Sequence, residues 1–181
     1  MNILEQYIKH VINEKVQLPY GDVADKIFYW NARESTHVKM GFSVPNAKSR
    51  GHDGDERRQL VEEIFEQVRK KIAPDRPSRL SCVYVCPPDK PKCATGRNFK
   101  VKVTGTVFYT NQEYFTQAVE RFDSIGNLTT SADGKTRDIT IDDVRSDITY
   151  LAKTYWEGTA YAIVPEVLVD GEVIVVGSGR N

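Results

Sequence analysis

Pro74-Asp75-Arg76-Pro77-Ser78-Arg79-Leu80-Ser81-Cys82-Val83-Tyr84-Val85 decides the fold class, because it converts a helix into a strand within one short stretch. Upstream, Leu60, Val61, Ile64, Phe65, Val68 and Ile72 recur at helical spacing, which predicts an amphipathic helix over 55–72. Pro74 and Pro77 stop it: each lacks an N–H, and each pushes the residue before it out of helical geometry. The β-branched and aromatic run that follows predicts a strand over 81–85. Ser78-Arg79-Leu80-Ser81 therefore gathers polar side chains at the start of a strand, between two rigid elements, where ligand sites are often built.

Outward from that junction, Ile3, Leu4, Tyr7, Ile8, Val11 and Ile12 predict a first helix over 2–14, closed by Pro19-Tyr20-Gly21. Lys26 to Trp30 reads as a first strand, running into a polar stretch from Asn31 to His37. Residues 44–55 carry little to bury and read as a long loop, either mobile or functional. Phe99 to Tyr109 predicts one strand or two, divided near Gly105. Asn111 is placed to cap a helix carrying Tyr114, Phe115, Ala118, Val119 and Phe122. Thr140 and Asp143 form a capping-box pattern for a helix with Ile141, Val144, Ile148, Leu151 and Tyr155, which Gly158 ends. Asp170-Gly171, between two β runs over 165–176, is the strongest hairpin signal in the chain. Helices and strands mix without a βαβ rhythm, so the expected class is α+β rather than a doubly wound sheet. The expected organisation is a single globular domain over 1–181, with an N-terminal helix and connection over 1–20 and a core over 26–176.

The chain has 181 residues, enough for a hydrophobic core without metals or disulfides. Its 25 basic and 25 acidic residues cancel, so nucleic acid as a partner has no electrostatic support. The basic spots at 69–71 and 76–79 lie beside Glu62, Glu63, Glu66 and Asp75 and read as a solvated, charge-mixed face. Asp142-Asp143 and Glu62-Glu63 read likewise as solvated helix charges. No apolar run approaches a membrane span and no secretory leader is visible, so a cytoplasmic location without a membrane partner is expected. Cys82, Cys86 and Cys93 fit neither a disulfide framework nor a zinc knuckle with His52, and read as ordinary thiols in a reducing compartment. His10, His37 and His52 form no nucleophile–base pattern with them. No dinucleotide-binding glycine fingerprint and no P-loop is present.

What remains is a distributed polar and aromatic set: Tyr29, Trp30 and Arg33; Ser78, Arg79, Ser81 and Tyr84; Trp156 and Glu157; and Glu166. Each has an ordinary structural reading, the aromatics as core, Arg79 as the partner of an acid, and Glu166 as a strand-edge charge. A basic residue on an early strand, a Ser- and Tyr-bearing middle strand, and a glutamate leading a late strand also resemble the ADP-ribosyltransferase superfamily. The run from Glu66-x-x-Arg69 through Pro77-Ser78-Arg79-Leu80-Ser81-Cys82-Val83-Tyr84 is similar to a phage and bacterial branch of uncharacterised ADP-ribosyltransferase-like proteins. Tyr155-Trp156-x-Gly158 and Glu166-Val167-Leu168-Val169-x-Gly171-x-Val173 extend the resemblance over residues 26 to 176. It implies a split β-sheet clasping NAD, and a mono-ADP-ribosyltransferase transferring ADP-ribose to an unidentified acceptor such as a host protein. It further implies catalytic roles for Arg33, with His37 second, at the pyrophosphate and ribose, and for Ser81 in support of the nicotinamide ribose, with Ser78 and Arg79 beside it along the middle wall. Tyr84 or Trp156 would stack on the nicotinamide, and Glu166 would serve as the catalytic carboxylate. The sequence departs from the superfamily in having Val164, not an acid or amide, two positions before Glu166, and Tyr29-Trp30 where a basic residue is common. A protein on the same fold that binds and inhibits a host factor by contact is the alternative.

Overall fold

The computed structural model describes residues 26–33, 35–46, 56–91, 93–130, 133–158 and 162–179. The helix expected over 2–14, His10, His52 and most of the 44–55 loop lie outside them. The described elements run β1 (Phe28–Ala32), α1 (Glu56–Ile72), β2 (Val83–Val85), β3 (Arg97–Val103), β4 (Thr106–Asn111) and α2 (Glu113–Phe122). There follow β5 (Leu128–Thr130), β6 (Thr136–Asp138), α3 (Ile141–Glu157), β7 (Pro165–Asp170) and β8 (Val173–Ser178). All ladders are antiparallel: β1-β3-β8 form one sheet, β2-β7-β4 a second, and β5-β6 a separate hairpin. Among the described residues no helix is long and apolar enough to cross a membrane. The fold is α+β.

Three layers result, and side-chain alternation along the strands builds them. In the β2-β7-β4 sheet, Val83, Val85, Tyr109, Val167 and Val169 face the other sheet, meeting Phe28, Trp30, Val101, Val103, Val173 and Val175. The opposite side chains, Phe108 and Leu168, pack under the helices with Phe65, Phe115, Ile148, Tyr155 and Trp156. β7 is thus covered on both faces, and Val167, Leu168 and Val169 are all fully buried. That explains its unbroken apolar run, which a one-faced strand would not need. The outer sheet turns Lys100 and Lys102 toward solvent, and the segment 41–44 pairs along β8 through Val44 N–H to the Val173 carbonyl at 2.8 Å.

The two sheets meet along β1 and β2, where Tyr29 and Cys86 exchange backbone hydrogen bonds of 3.0 and 2.6 Å. They also meet where the chain crosses between them twice, at Gly105 and at Gly171. β7 and β8 belong to different sheets, so the hairpin expected at Asp170-Gly171 is a corner instead. A Cβ on Gly171 would sit 1.9 Å from the Thr104 carbonyl oxygen, and one on Gly105 would sit 2.2 Å from that of Asp170. The glycines are needed for two backbones to pass closely, not for a two-residue turn.

Local signals hold at the helices. At α2 the N-cap position is Gln112, without a side-chain cap; Asn111, one residue earlier, accepts the Glu113 N–H through Oδ1 at 3.1 Å. At α3, Asp143 N–H donates to Thr140 Oγ1 at 3.3 Å while Thr140 N–H donates to Asp143 Oδ2 at 2.9 Å, completing the capping box. Gly158 closes the helix with positive φ.

The cysteines differ from expectation. Cys86 and Cys93 form a disulfide, and Cys82 is the free cysteine among the described residues. Two thiols whose backbone is held close by a short loop can bond whatever their sequence spacing suggests, so the argument for a reducing compartment falls. Burial pushes the Cys82 thiol up to about 12, which keeps it protonated and unreactive.

Candidate functional site

The turn after α1 is built by Arg69 and Glu66. Arg69 grips Glu66 with Nε and Nη2 at 2.9 and 2.8 Å, and its Nη1 donates to the Pro74 and Arg76 carbonyls at 2.8 and 2.9 Å. Ser78 Oγ donates to Glu66 Oε2 at 2.8 Å, and the N–H groups of Ser81 and Cys82 both reach the Ser78 carbonyl. Burial raises the Glu66 carboxyl, but the bonds from Arg69 and Ser78 outweigh it and leave it below its ordinary value. Glu62 and Glu66 are therefore not solvated helix charges: each side chain is largely buried, Glu66 against Arg69 of the same helix and Glu62 against Arg79 from the turn. The first function of the Ser78-Arg79-Leu80-Ser81 tetrad is to fold this turn, which drives Arg79 under the helices.

There Arg79 is buried and every face of it is occupied. Nε and Nη2 form a fork to Glu62 at 3.0 and 3.1 Å. Nη1 donates to the Tyr155 hydroxyl at 2.7 Å and to Glu166 Oε2. The Tyr155 hydroxyl in turn donates to the same Glu166 oxygen at 2.5 Å. The guanidinium lies 3.9 Å above the Phe115 ring, and its own carbonyl accepts the Tyr84 hydroxyl at 2.8 Å. Burial opposes the charge on Arg79, yet Glu166, Tyr155, Tyr84 and Glu62 hold its pKa well above the ordinary value. Burial likewise pushes Tyr84 and Tyr155 well up, so both are neutral donors. One guanidinium, two carboxylates and two phenols form a closed network of charge-assisted bonds.

Glu166 is the end of that network that meets a cavity. The register pairs Tyr84 with Leu168, so Tyr84 and Glu166 are diagonal neighbours on the same face. A cavity of about 170 Å³ opens beside them, walled by Tyr29 and Asn31 of β1, Tyr84 of β2, Gln112 after β4, and Glu166. Both bonds within the network land on Oε2 of Glu166; among the described residues no donor reaches Oε1. A carboxylate anchored through one oxygen at the wall of an aromatic-lined cavity can hold a hydroxyl or stabilise positive charge developing on a bound molecule.

Of the residues expected at the site, Tyr84 and Glu166 line this cavity. Arg33 and His37 are exposed; they lie beyond β1 and outside the lining. Ser78 and Ser81 belong to the turn, and Arg79 stands behind Glu166 rather than in the cavity. Trp156 corrects the stacking expectation outright: it is 1% exposed, stacks on Phe108 at 5.6 Å, and donates its Nε1–H to the Phe65 carbonyl at 2.8 Å. It is a core residue whose polar atom is satisfied, as a buried indole needs. Sequence reasoning missed Glu62, Tyr155, Asn31 and Gln112. For Tyr155 the signal was present, since a tyrosine on the apolar stripe of a helix must find a buried partner for its hydroxyl.

No curated protein matches the sequence. Residues 5–180 match one protein family, and the chain belongs to it: the family described as protein of unknown function (DUF2441).

Proposed function

We propose that the protein is a mono-ADP-ribosyltransferase-like enzyme that binds NAD with its nicotinamide ribose in the cavity beside Glu166. The observation that carries this reading is the meeting of three strands at one cavity: Tyr29 from β1, Tyr84 from β2 and Glu166 from β7. These are the early, middle and late strands that the sequence resemblance assigns to an NAD crevice. Breaking the bond between ribose and nicotinamide develops positive charge on the sugar. A carboxylate already fixed by Arg79 and Tyr155 interacts more strongly with that state than with the ground state, at no cost of reorganisation. Tyr84 and Tyr29 supply aromatic surface for the planar base, the role that the resemblance gives to Tyr84 or Trp156. Tyr29 and Asn31 share one side of β1, and Arg33 and His37 follow beyond its end. A dinucleotide extending from the cavity would therefore bring its pyrophosphate toward Arg33 and His37. On this reading ADP-ribose passes from NAD to an unidentified acceptor such as a host protein.

A second reading has its own support. Oε2 of Glu166 is already saturated by two buried donors, as expected of a carboxylate that only shapes the fold; on that reading the protein binds a partner by contact.

Titrating the full chain with NAD separates them. The transferase reading predicts saturable binding, weakened at least tenfold by Tyr29→Ala, which touches neither Arg79 nor Glu166, with the melting transition unchanged. No binding by the wild-type chain, or unaltered binding by Tyr29→Ala, overturns it.

A further inference from the structure

We propose that Cys86 and Cys93 form a redox-active pair that latches one wall of the cavity, and that a dithiol reductant opens it. The latch stands on geometry independent of NAD; its consequence for NAD rests on the reading above.

Both cysteines line the cavity, and Ala94 beside Cys93 lines it too. Their environments are unequal. Cys86 is buried at the β1–β2 junction, with its backbone fixed by the reciprocal hydrogen bonds to Tyr29; Cys93 is partly exposed. Two N–H donors already point at the buried sulfur: Asn31 Nδ2 at 3.1 Å and the Cys93 amide at 3.2 Å from Cys86 Sγ. Thiol–disulfide exchange needs an accessible sulfur to attack and a stabilised sulfur to leave. This pair has one of each.

A thiolate of the reductant attacks Cys93 Sγ, the Cys86–Cys93 bond breaks, and Cys86 departs as a thiolate stabilised by the two N–H groups until it takes up a proton. The second thiol of the reductant then displaces Cys93, and the reductant departs as its own disulfide. Two electrons and two protons pass to the cysteines.

Reduction leaves Cys86 in place, because the Tyr29 bridge does not depend on the disulfide. It frees Cys93 and Ala94, whose segment is otherwise tied by the Asn98 Nδ2 bond to the Pro91 carbonyl at 2.9 Å and by Lys90 Nζ to the Ala162 and Ile163 carbonyls. The oxidised chain therefore presents a formed cavity and the reduced chain an open-sided one. Disulfides met in reducing compartments are mostly transient or redox-sensing, which accommodates this pair without requiring export.

The test is hydrogen exchange on the full chain, oxidised and after dithiothreitol, with mass spectrometry confirming the gain of two hydrogens. The peptide holding Cys93 and Ala94 should exchange at least about tenfold faster when reduced, while peptides from α3 and β7 stay unchanged. Asn31→Ala should slow the reduction itself about three- to tenfold, through loss of one donor to the leaving sulfur. Unchanged exchange at Cys93, parallel loosening of α3, an Asn31→Ala variant reduced as fast as wild type, or absence of the disulfide in the oxidised chain each overturns the latch. In a parallel NAD titration, oxidised and reduced chains should differ at least tenfold in affinity. Equal affinities overturn control of the ligand, whereas no binding in either state overturns the NAD reading and leaves the exchange result to decide the latch.

Discussion

Arg79 holds two carboxylates that meet no other cation among the described residues, so its loss strands both Glu62 and Glu166 in a buried setting. Breaking a buried pair by removing one partner typically costs about 3–5 kcal/mol, far more than the pair contributes over apolar replacements. Arg79→Leu should destabilise by that amount in urea denaturation, and Glu62→Gln by less, since Glu166 still neutralises the guanidinium. A loss under about 1 kcal/mol for Arg79→Leu would show that water enters and solvates the acids. At this scale the sequence was only half legible. A tetrad with three polar residues was visible, but periodicity alone assigns Glu62 and Glu66 to solvent. Only the tertiary return of Ser78 and Arg79 beneath α1 reveals their burial. Tyr155 was hidden in the same way, because its ring fits the apolar stripe and its hydroxyl is found only by asking what satisfies it.

Elements were read best where the signal is local. The Thr140–Asp143 capping box and the Gly158 terminus each involve residues within one turn, and so does the interruption near Gly105. Thr140→Ala should cost about 1 kcal/mol of stability, measured by denaturant titration, by orphaning the Asp143 N–H. The Arg137 guanidinium and the Thr140 cap hold the Asp143 carboxyl well below its usual range. The sign follows: a carboxyl depressed in the folded state stabilises above the ordinary carboxylate range and loses that contribution as pH falls through its folded value. Glu66, also depressed, acts in the same direction. Acid should therefore weaken the start of α3 and the turn after α1, and Asp143→Asn should shallow the loss of stability below about pH 4. A steeper loss in that variant would contradict the assignment. Asp170-Gly171 shows the opposite case. The dipeptide does mark a change of direction, but which strand pairs with β7 is decided by partners far along the chain. Gly171→Ala should destabilise by more than about 2 kcal/mol, because its Cβ meets backbone that cannot yield. A loss below about 1 kcal/mol would show that the corner is plastic.

For the whole molecule, the decisive feature is a middle sheet covered on both faces. That arrangement makes the β7 run of Val167, Leu168 and Val169 apolar throughout and leaves Glu166 as the one charged side chain at its buried start. The α+β class was legible from the irregular alternation of helical and strand periodicity. The layer order was not, since it depends on two chain crossings that no local pattern announces. The cavity lies where the sheets join, so strands distant in sequence bring Tyr29, Tyr84 and Glu166 together. The central claim is that this meeting performs chemistry on NAD. Nicotinamide release by the oxidised full chain tests it most directly, comparing wild type with Glu166→Gln after circular dichroism has shown both to be folded. The account predicts measurable release by wild type, reduced about 10²–10³-fold in the variant. Equal release by both, or none by the wild type at saturating NAD, would contradict it.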